Sequence, residues 1–321
     1  MNDRKRLSAG ATLLFFVFLI HPAFPLWAQS FSRLDLDPQR VLWSDLYFGA
    51  KGTIVDLAID IRLAPFSLAE FEAIWRTYPQ AIQLPPSGQE VYALEVSRVI
   101  DYIFSAPVRL WNRILFDPRQ ANSLYRVRLR RGKDDVERAY WFNGEGVYRL
   151  RRMPKTKGET SLDPAKWTDV STSFYPYNLT RRECPQVIDP MLLIYLVSDL
   201  PVNQEGDALT LCVFGKQQLH QVRLAYQRLE SLEVDYSWNS RQGKVHRRGK
   251  VDGLRVTVQS EPMVSGKEDA ENFSFLGLQE DIAIHIDPQL RIPLQVSGKI
   301  PTVGLVTLKL SEVKMKKPPS R

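Results

Sequence analysis

Residues 125–131 read Tyr125-Arg126-Val127-Arg128-Leu129-Arg130-Arg131. Apolar and basic side chains alternate through them. Successive side chains of an extended chain point to opposite faces, so this is a strand with one apolar face and one arginine face. Two short strand-like runs follow, 139–142 and 147–150, around Asn143-Gly144-Glu145-Gly146. That tetrapeptide suits a hairpin turn, because Asn and Gly accept positive φ. Strands met in this order, joined by tight turns, build an antiparallel sheet.

The same pattern recurs on both sides. Leu57, Ile59, Ile61 and Leu63 are apolar, with Asp56, Asp60 and Arg62 set among them. Further strands are expected at 209–214, 219–226, 232–238, 253–258, 282–286, 292–296 and 303–313. Two helices interrupt them. Ser67 with Glu70 forms a capping-box signature, and Phe71, Ile74, Trp75 and Tyr78 then recur at helical spacing. That helix is amphipathic and should lie on the sheet. The second begins with Asp189 as N-cap and Pro190 at the first helical position. Its body, 191–196, is apolar nearly all round, which places it inside the curve of the sheet. Residues 84–89, 153–163, 241–248 and 263–271 read as stretches of lower order. The expected fold is mainly β: a curved antiparallel sheet, closed or half closed as a barrel, with one short buried helix and one amphipathic helix.

The first thirty residues read as a cleaved signal peptide. Arg4, Lys5 and Arg6 precede an apolar run at 13–20 and a small-residue exit at Ala28-Gln29-Ser30. A spanning helix would need about 20 apolar residues. No Cys stands at the exit to carry a lipid. The expectation is an exported, periplasmic protein with a single β-rich domain over 31–314 and a basic flexible tail over 315–321. The formal charge of +7 falls to about +5 without the leader, an excess that permits contact with anionic envelope surfaces. In an oxidising compartment the two cysteines, Cys184 and Cys212, are expected to pair.

Catalytic signals are sparse. His220, His246 and His285 have no partner at zinc-ligand spacing, and no Gly-x-Ser-x-Gly elbow or phosphate-cradling glycine loop is present. The carboxylate pairs Asp134-Asp135, Glu268-Asp269 and Glu280-Asp281 fall in turns or at strand edges. No catalytic residue, metal site or cofactor is expected. Two surfaces invite a ligand instead. Trp43, Trp111, Trp141, Tyr195 and Trp238 could line a concave face that holds an acyl chain or a sugar, or could simply pack the core. Arg126, Arg128 and Arg130, with Arg149 and Arg151 across a hairpin, could meet anionic headgroups, or could form the solvated outer face of the sheet.

The order of motifs is also familiar. Asp189-Pro190-Met191-Leu192-Leu193-Ile194-Tyr195 is followed by Val202, Gly206-Asp207, Leu229-Glu230 and Gly253-Leu254-Arg255-Val256. Ile284-His285-Ile286-Asp287-Pro288-Gln289-Leu290-Arg291-Ile292-Pro293-Leu294 and Gly304-Leu305-Val306-Thr307-Leu308 close the series. This order resembles the exported bacterial proteins grouped as domain of unknown function 3108. The likeness is best over 189–313 and weaker over 46–150, and the helix near residue 70 departs from it. It implies a periplasmic, mostly β protein with no established activity. The expected function is non-enzymatic binding of an envelope lipid, glycan or protein on a concave sheet face. The alternatives are an envelope scaffold using the basic strand face and a secreted enzyme. Peripheral membrane contact is compatible with all of these; nucleic acid is not an expected partner.

Overall fold

The computed structural model describes residues 32–52, 55–78, 90–103, 105–132, 134–177, 184–200, 205–240, 243–263, 273–301 and 303–316. The expected leader, the low-order stretches 84–89 and 264–271, and the tail beyond Lys316 lie outside them.

The N-terminal half supplies β1 (Trp43–Lys51), β2 (Val55–Phe66), β3 (Val91–Tyr102), β4 (Val108–Phe116), β5 (Ser123–Arg131), β6 (Val136–Phe142), β7 (Gly146–Met153) and β8 (Asp169–Pro176). Each pairs antiparallel with the one before. The C-terminal half supplies β9 (Val187–Ile188), β10 (Ala208–Phe214), β11 (Leu219–Ser240), β12 (Gly243–Pro262), β13 (Glu280–Ile286), β14 (Pro293–Ile300) and β15 (Gly304–Met315). β1 pairs with β15 and joins the halves into one sheet. Ser237 and Trp238 of β11 also pair with Glu312 and Val313 of β15, so strands β11 to β15 close a ring. The protein is therefore mainly β, a curved and partly closed sheet, as the alternation implies.

Several boundaries differ from expectation. The runs 219–226 and 232–238 are one long strand, β11, with a register shift between Tyr226 and Leu229 where a break was expected. Residues 243–248 are the start of β12, paired back onto β11. Their charges read as a loop, but these largely exposed residues pair with 235–240 of β11, whose Tyr236 and Trp238 pack on the main core. Residues 157–161 form a 3₁₀ turn tied by the Glu159 carboxylate, which accepts from the Lys155 and Thr168 N–H groups (3.0 and 2.9 Å). Met315 belongs to β15, and Lys316 donates from its backbone to Leu42 (2.7 Å) and from Nζ to the Pro38 carbonyl (3.0 Å). The basic tail is thus anchored at its first two residues. Strands β3 and β4 lacked alternation because both of their faces are covered.

The helices account for that cover. α1 (Leu68–Trp75) opens with Ser67, whose Oγ accepts the Glu70 N–H. Its Phe71 and Trp75, with Tyr78 beyond, pack against Leu115, Tyr125, Val127 and Trp141 on the convex side of β3 to β7. α2 (Leu193–Asp199) follows a 3₁₀ turn at Pro190–Leu192, which Asp189 caps by accepting the Met191 N–H (2.8 Å). All seven of its residues are buried, inside the main core. Its C-terminal carbonyls are satisfied by Arg291, which donates to Ser198 (2.9 Å), Val197 (3.2 Å) and Leu200. Cys184 and Cys212 are disulfide-bonded, with Cα atoms 5.8 Å apart. The bond ties the approach to β9 onto β10 and contributes roughly 3–4 kcal/mol on the chain-entropy estimate.

Asp199, at the end of α2, is fully buried. Burial outweighs its hydrogen bond from the Asp37 N–H and raises its carboxyl to about 6. The folded chain therefore holds a proton that the unfolded chain releases nearer 3.8, its ordinary value. The resulting penalty is absent below that lower value, grows as pH rises, and is complete above about 6. Asp199→Asn should accordingly be more stable than the parent at pH 7 and equal to it near pH 3.5. Denaturation curves from about pH 3.5 to 7.5 check this; parallel pH profiles for parent and variant would count against it.

Candidate functional site

Alternation in β5 leaves open which face turns inward. Pairing decides it. Arg126 lies opposite Ile114, and Ile114 belongs to the main core inside the sheet. Arg126, Arg128 and Arg130 therefore face the concave side, while Tyr125 and Val127 face the convex side beneath α1. The register carries this basic surface across five strands. One row runs Ser171, Arg151, Arg138, Arg128, Asn112. A second runs Ser173, Arg149, Tyr140, Arg126, Ile114, and a third runs Val136, Arg130, Leu110, Arg98. Lys216, on the turn after β10, approaches from across the curve. Asn112, Arg128, Arg130, Arg138, Arg149 and Arg151 line a groove of about 410 Å³ with Lys216 beside them, and Arg98 and Arg126 lie in its floor.

The guanidiniums differ in how they are neutralised. Arg126 is almost fully buried. Its Nη1 meets Asp189 Oδ2 at 2.6 Å, its Nη2 donates to the Gly215 carbonyl (3.2 Å), and its plane lies 4.0 Å from the Tyr140 ring centroid. Arg130 pairs with Asp134. Arg151 lies 3.8 Å from Asp169 and also donates to the Met153 sulfur. Arg149 donates to Ser173 Oγ (3.0 Å) and lies over Tyr175 at 5.3 Å. Among the described residues, Arg98, Arg128 and Arg138 have no carboxylate partner. Burial, and after it the Arg128 charge, pulls Arg98 down to about 10. Burial, then the Arg126 charge, lowers Arg128, while Tyr140 and Asp189 oppose the shift. Both groups remain cationic at neutral pH.

The structure brings together the five arginines singled out in the sequence, but on the inner face, not as the outer surface of the sheet. The aromatic candidates do not converge. Trp43 is buried in the main core, and Tyr195 is buried on α2 with its hydroxyl donating to the Pro118 carbonyl (2.7 Å). Trp141 is buried under α1 on the convex side, and Trp111 sits at the rim of that cluster under Arg113. Trp238 packs near Tyr236 at the far end of β11. None of the five lines the groove. Arg98, Asn112, Arg138 and Lys216 do line the groove or its floor and were not singled out. Arg98 stood in a stretch without alternation. Arg138 was legible only as the partner of Arg128 across a hairpin.

Elsewhere the candidate polar groups are internally engaged, apart from His220, whose two ring nitrogens have no hydrogen-bond partner among the described residues. His285 Nε2 lies 3.0 Å from Glu230, whose carboxyl this contact lowers. His246 lies 3.0 Å from Asp235. His220 is buried beside Phe273. Asp135 pairs with Arg131 (3.0 Å), and Glu280 and Asp281 with Lys299 (3.4 and 2.7 Å). Glu268 and Asp269 lie outside the described residues. No described group of three His, Cys, Asp or Glu side chains converges as a metal site, and no described helix is long and apolar enough to cross a membrane.

No family model matches the sequence, so the likeness to domain of unknown function 3108 finds no support there. No curated protein matches it either. Among solved structures the chain is similar to a β-barrel-like protein of domain of unknown function 1849 from Brucella abortus. The identity is 8% over 89% of this chain and 99% of that one, with a TM-score of 0.44.

Proposed function

We propose that this protein is a non-enzymatic binding protein of the bacterial periplasm that holds an anionic envelope molecule, a lipid or a glycan, on the concave face of its sheet. The observation that carries this is the inward-facing arginine surface of β3 to β7. A sheet that only needed a soluble outer face would turn these cations to water and its apolar residues to the core. Here the opposite face is covered by α1, and the cations line a groove where screening by solvent is reduced. Fixed positive charge along a recess concentrates anions. The signal-like residues 1–30 and the disulfide support an exported location.

The test uses the full chain exported to and purified from a bacterial periplasm. Native mass spectrometry should find a co-purified anionic molecule. Binding of dextran sulfate should weaken with added salt. Arg138→Glu should reduce that binding about tenfold or more at low salt, the equivalent of about 1.4 kcal/mol. Binding that ignores both salt and Arg138→Glu would refute the proposal.

A further inference from the structure

The arginines of the inner sheet are not alike. The same strands give Arg126, Arg130 and Arg151 a carboxylate each, and on the convex side Arg113 pairs with Glu95 and Arg152 with Glu137, both at 2.7 Å. Among the described residues, Arg98 and Arg128 receive none. They sit on either side of β4, whose Asn112 lies directly opposite Arg128 and two residues along from Leu110, the partner of Arg98. Asn112 is nearly fully buried, and its Oδ1 has no hydrogen-bond partner. The Arg98 Nε is likewise buried without one. A small pocket of about 30 Å³ lies among these three residues at the floor of the groove; Gly277, Lys216 and the Arg126–Asp189 ion pair also line it. At Gly277 a Cβ would stand 2.3 Å from Arg98 Nη1, so the wall approaches the guanidinium as closely as a glycine allows.

We propose that Arg98, Arg128 and Asn112 form an anchoring site for a phosphoryl group. It rests on the anion-binding role proposed above and names the chemistry of the anchored group. Two unpaired guanidiniums supply two charges and two donor forks. A carboxylate, with one charge, balances only one of the two guanidiniums. A phosphate monoester carries about −1.5 to −2 charges near neutral pH and has three acceptor oxygens, enough to bridge both forks. Asn112 adds a carboxamide whose rotation presents a donor to the third oxygen. The mutual repulsion of Arg98 and Arg128, which Asp189 offsets only in part, is relieved when a dianion enters. Leu110 and Val136, beside the arginines in the outermost row, offer apolar contact to a chain attached to that group.

The phosphoryl group is either free phosphate or the headgroup of a lipid, and calorimetry on the full chain separates the two. The probes are inorganic phosphate and dihexanoyl phosphatidic acid. Binding of either supports the anchor: lipid alone assigns a phospholipid headgroup, and phosphate alone assigns the free ion. Arg98→Gln and Arg128→Gln should each weaken binding about 10- to 100-fold, the range for losing a charged hydrogen bond. Arg62→Gln, on the outer face of β2 with its side chain 70% exposed, should change it less than about threefold. Folding is monitored in parallel: the two variants should melt no lower than the parent, because each removes an unpaired charge, and phosphate should raise the Tm of the parent but of neither variant. Failure of both probes to bind, or equal binding by parent and both variants, overturns the anchor. If dextran sulfate still binds and still responds to Arg138→Glu in that event, the wider anion-binding role stands without it.

Discussion

Arg126→Met is expected to lower the unfolding free energy by about 3–5 kcal/mol, the usual cost of breaking a buried ion pair from one side. Side chains of Arg126 and Asp189 are 3% and 1% exposed. Removing the guanidinium leaves the Asp189 carboxylate inside the sheet with, among the described residues, the Met191 N–H as its only other hydrogen-bond partner. The Gly215 carbonyl and the face of Tyr140 lose their partner as well. Adding Asp189→Asn to Arg126→Met should recover part of the loss, because the amide still caps the helix turn and carries no charge. Chemical denaturation at pH 7 with the disulfide intact provides the comparison. A loss near 1 kcal/mol or less, the value of a surface pair, would show that this contact is solvated.

Trp43→Ala should cost a similar amount, about 3–5 kcal/mol. Trp43 is fully buried on β1, and its Nε1 donates to Ser198 Oγ at 2.9 Å. Ser198 in turn donates to the Ile194 carbonyl at 3.0 Å within α2. The indole therefore ties the first strand to the buried helix, and its removal opens a cavity where they meet. Trp43→Phe keeps most of the apolar volume and loses the hydrogen bond, so its cost should be clearly smaller. Because Trp43 lies away from the arginine groove, neither substitution should alter anion binding by the folded protein. A binding defect in Trp43→Phe at unchanged stability would place Trp43 in a ligand site and reverse that assignment.

Much of the architecture was legible locally. The alternation at 125–131, the Asn-Gly turn at 143–144, the Ser67 cap and the Asp189-Pro190 helix start each have a short-range physical cause, and each appears in the fold. β3 and β4 were not legible, because strands covered on both faces lose the polar half of the period. β11 was divided at its register shift, and the start of β12 was missed because its charged, largely exposed residues look like a loop. The site was legible only in part. Arg126, Arg128, Arg130, Arg149 and Arg151 stand out as an alternating set, whereas Arg98, Asn112 and Arg138 join them only through cross-strand register.

The sequence by itself determined a β protein with two helices, their caps and a cysteine pair able to bond. It also determined that the β5 strand has one apolar and one basic face. Only the tertiary structure decided which of those faces looks inward. Period-two alternation states that two faces differ, but it is symmetric between inside and outside. The symmetry is broken by α1, which lays Phe71 and Trp75 over the apolar face from the convex side, and by Asp189, which meets Arg126 from within. Those contacts join residues far apart in the chain, and they turn what reads as a solvated stripe into the lining of a groove.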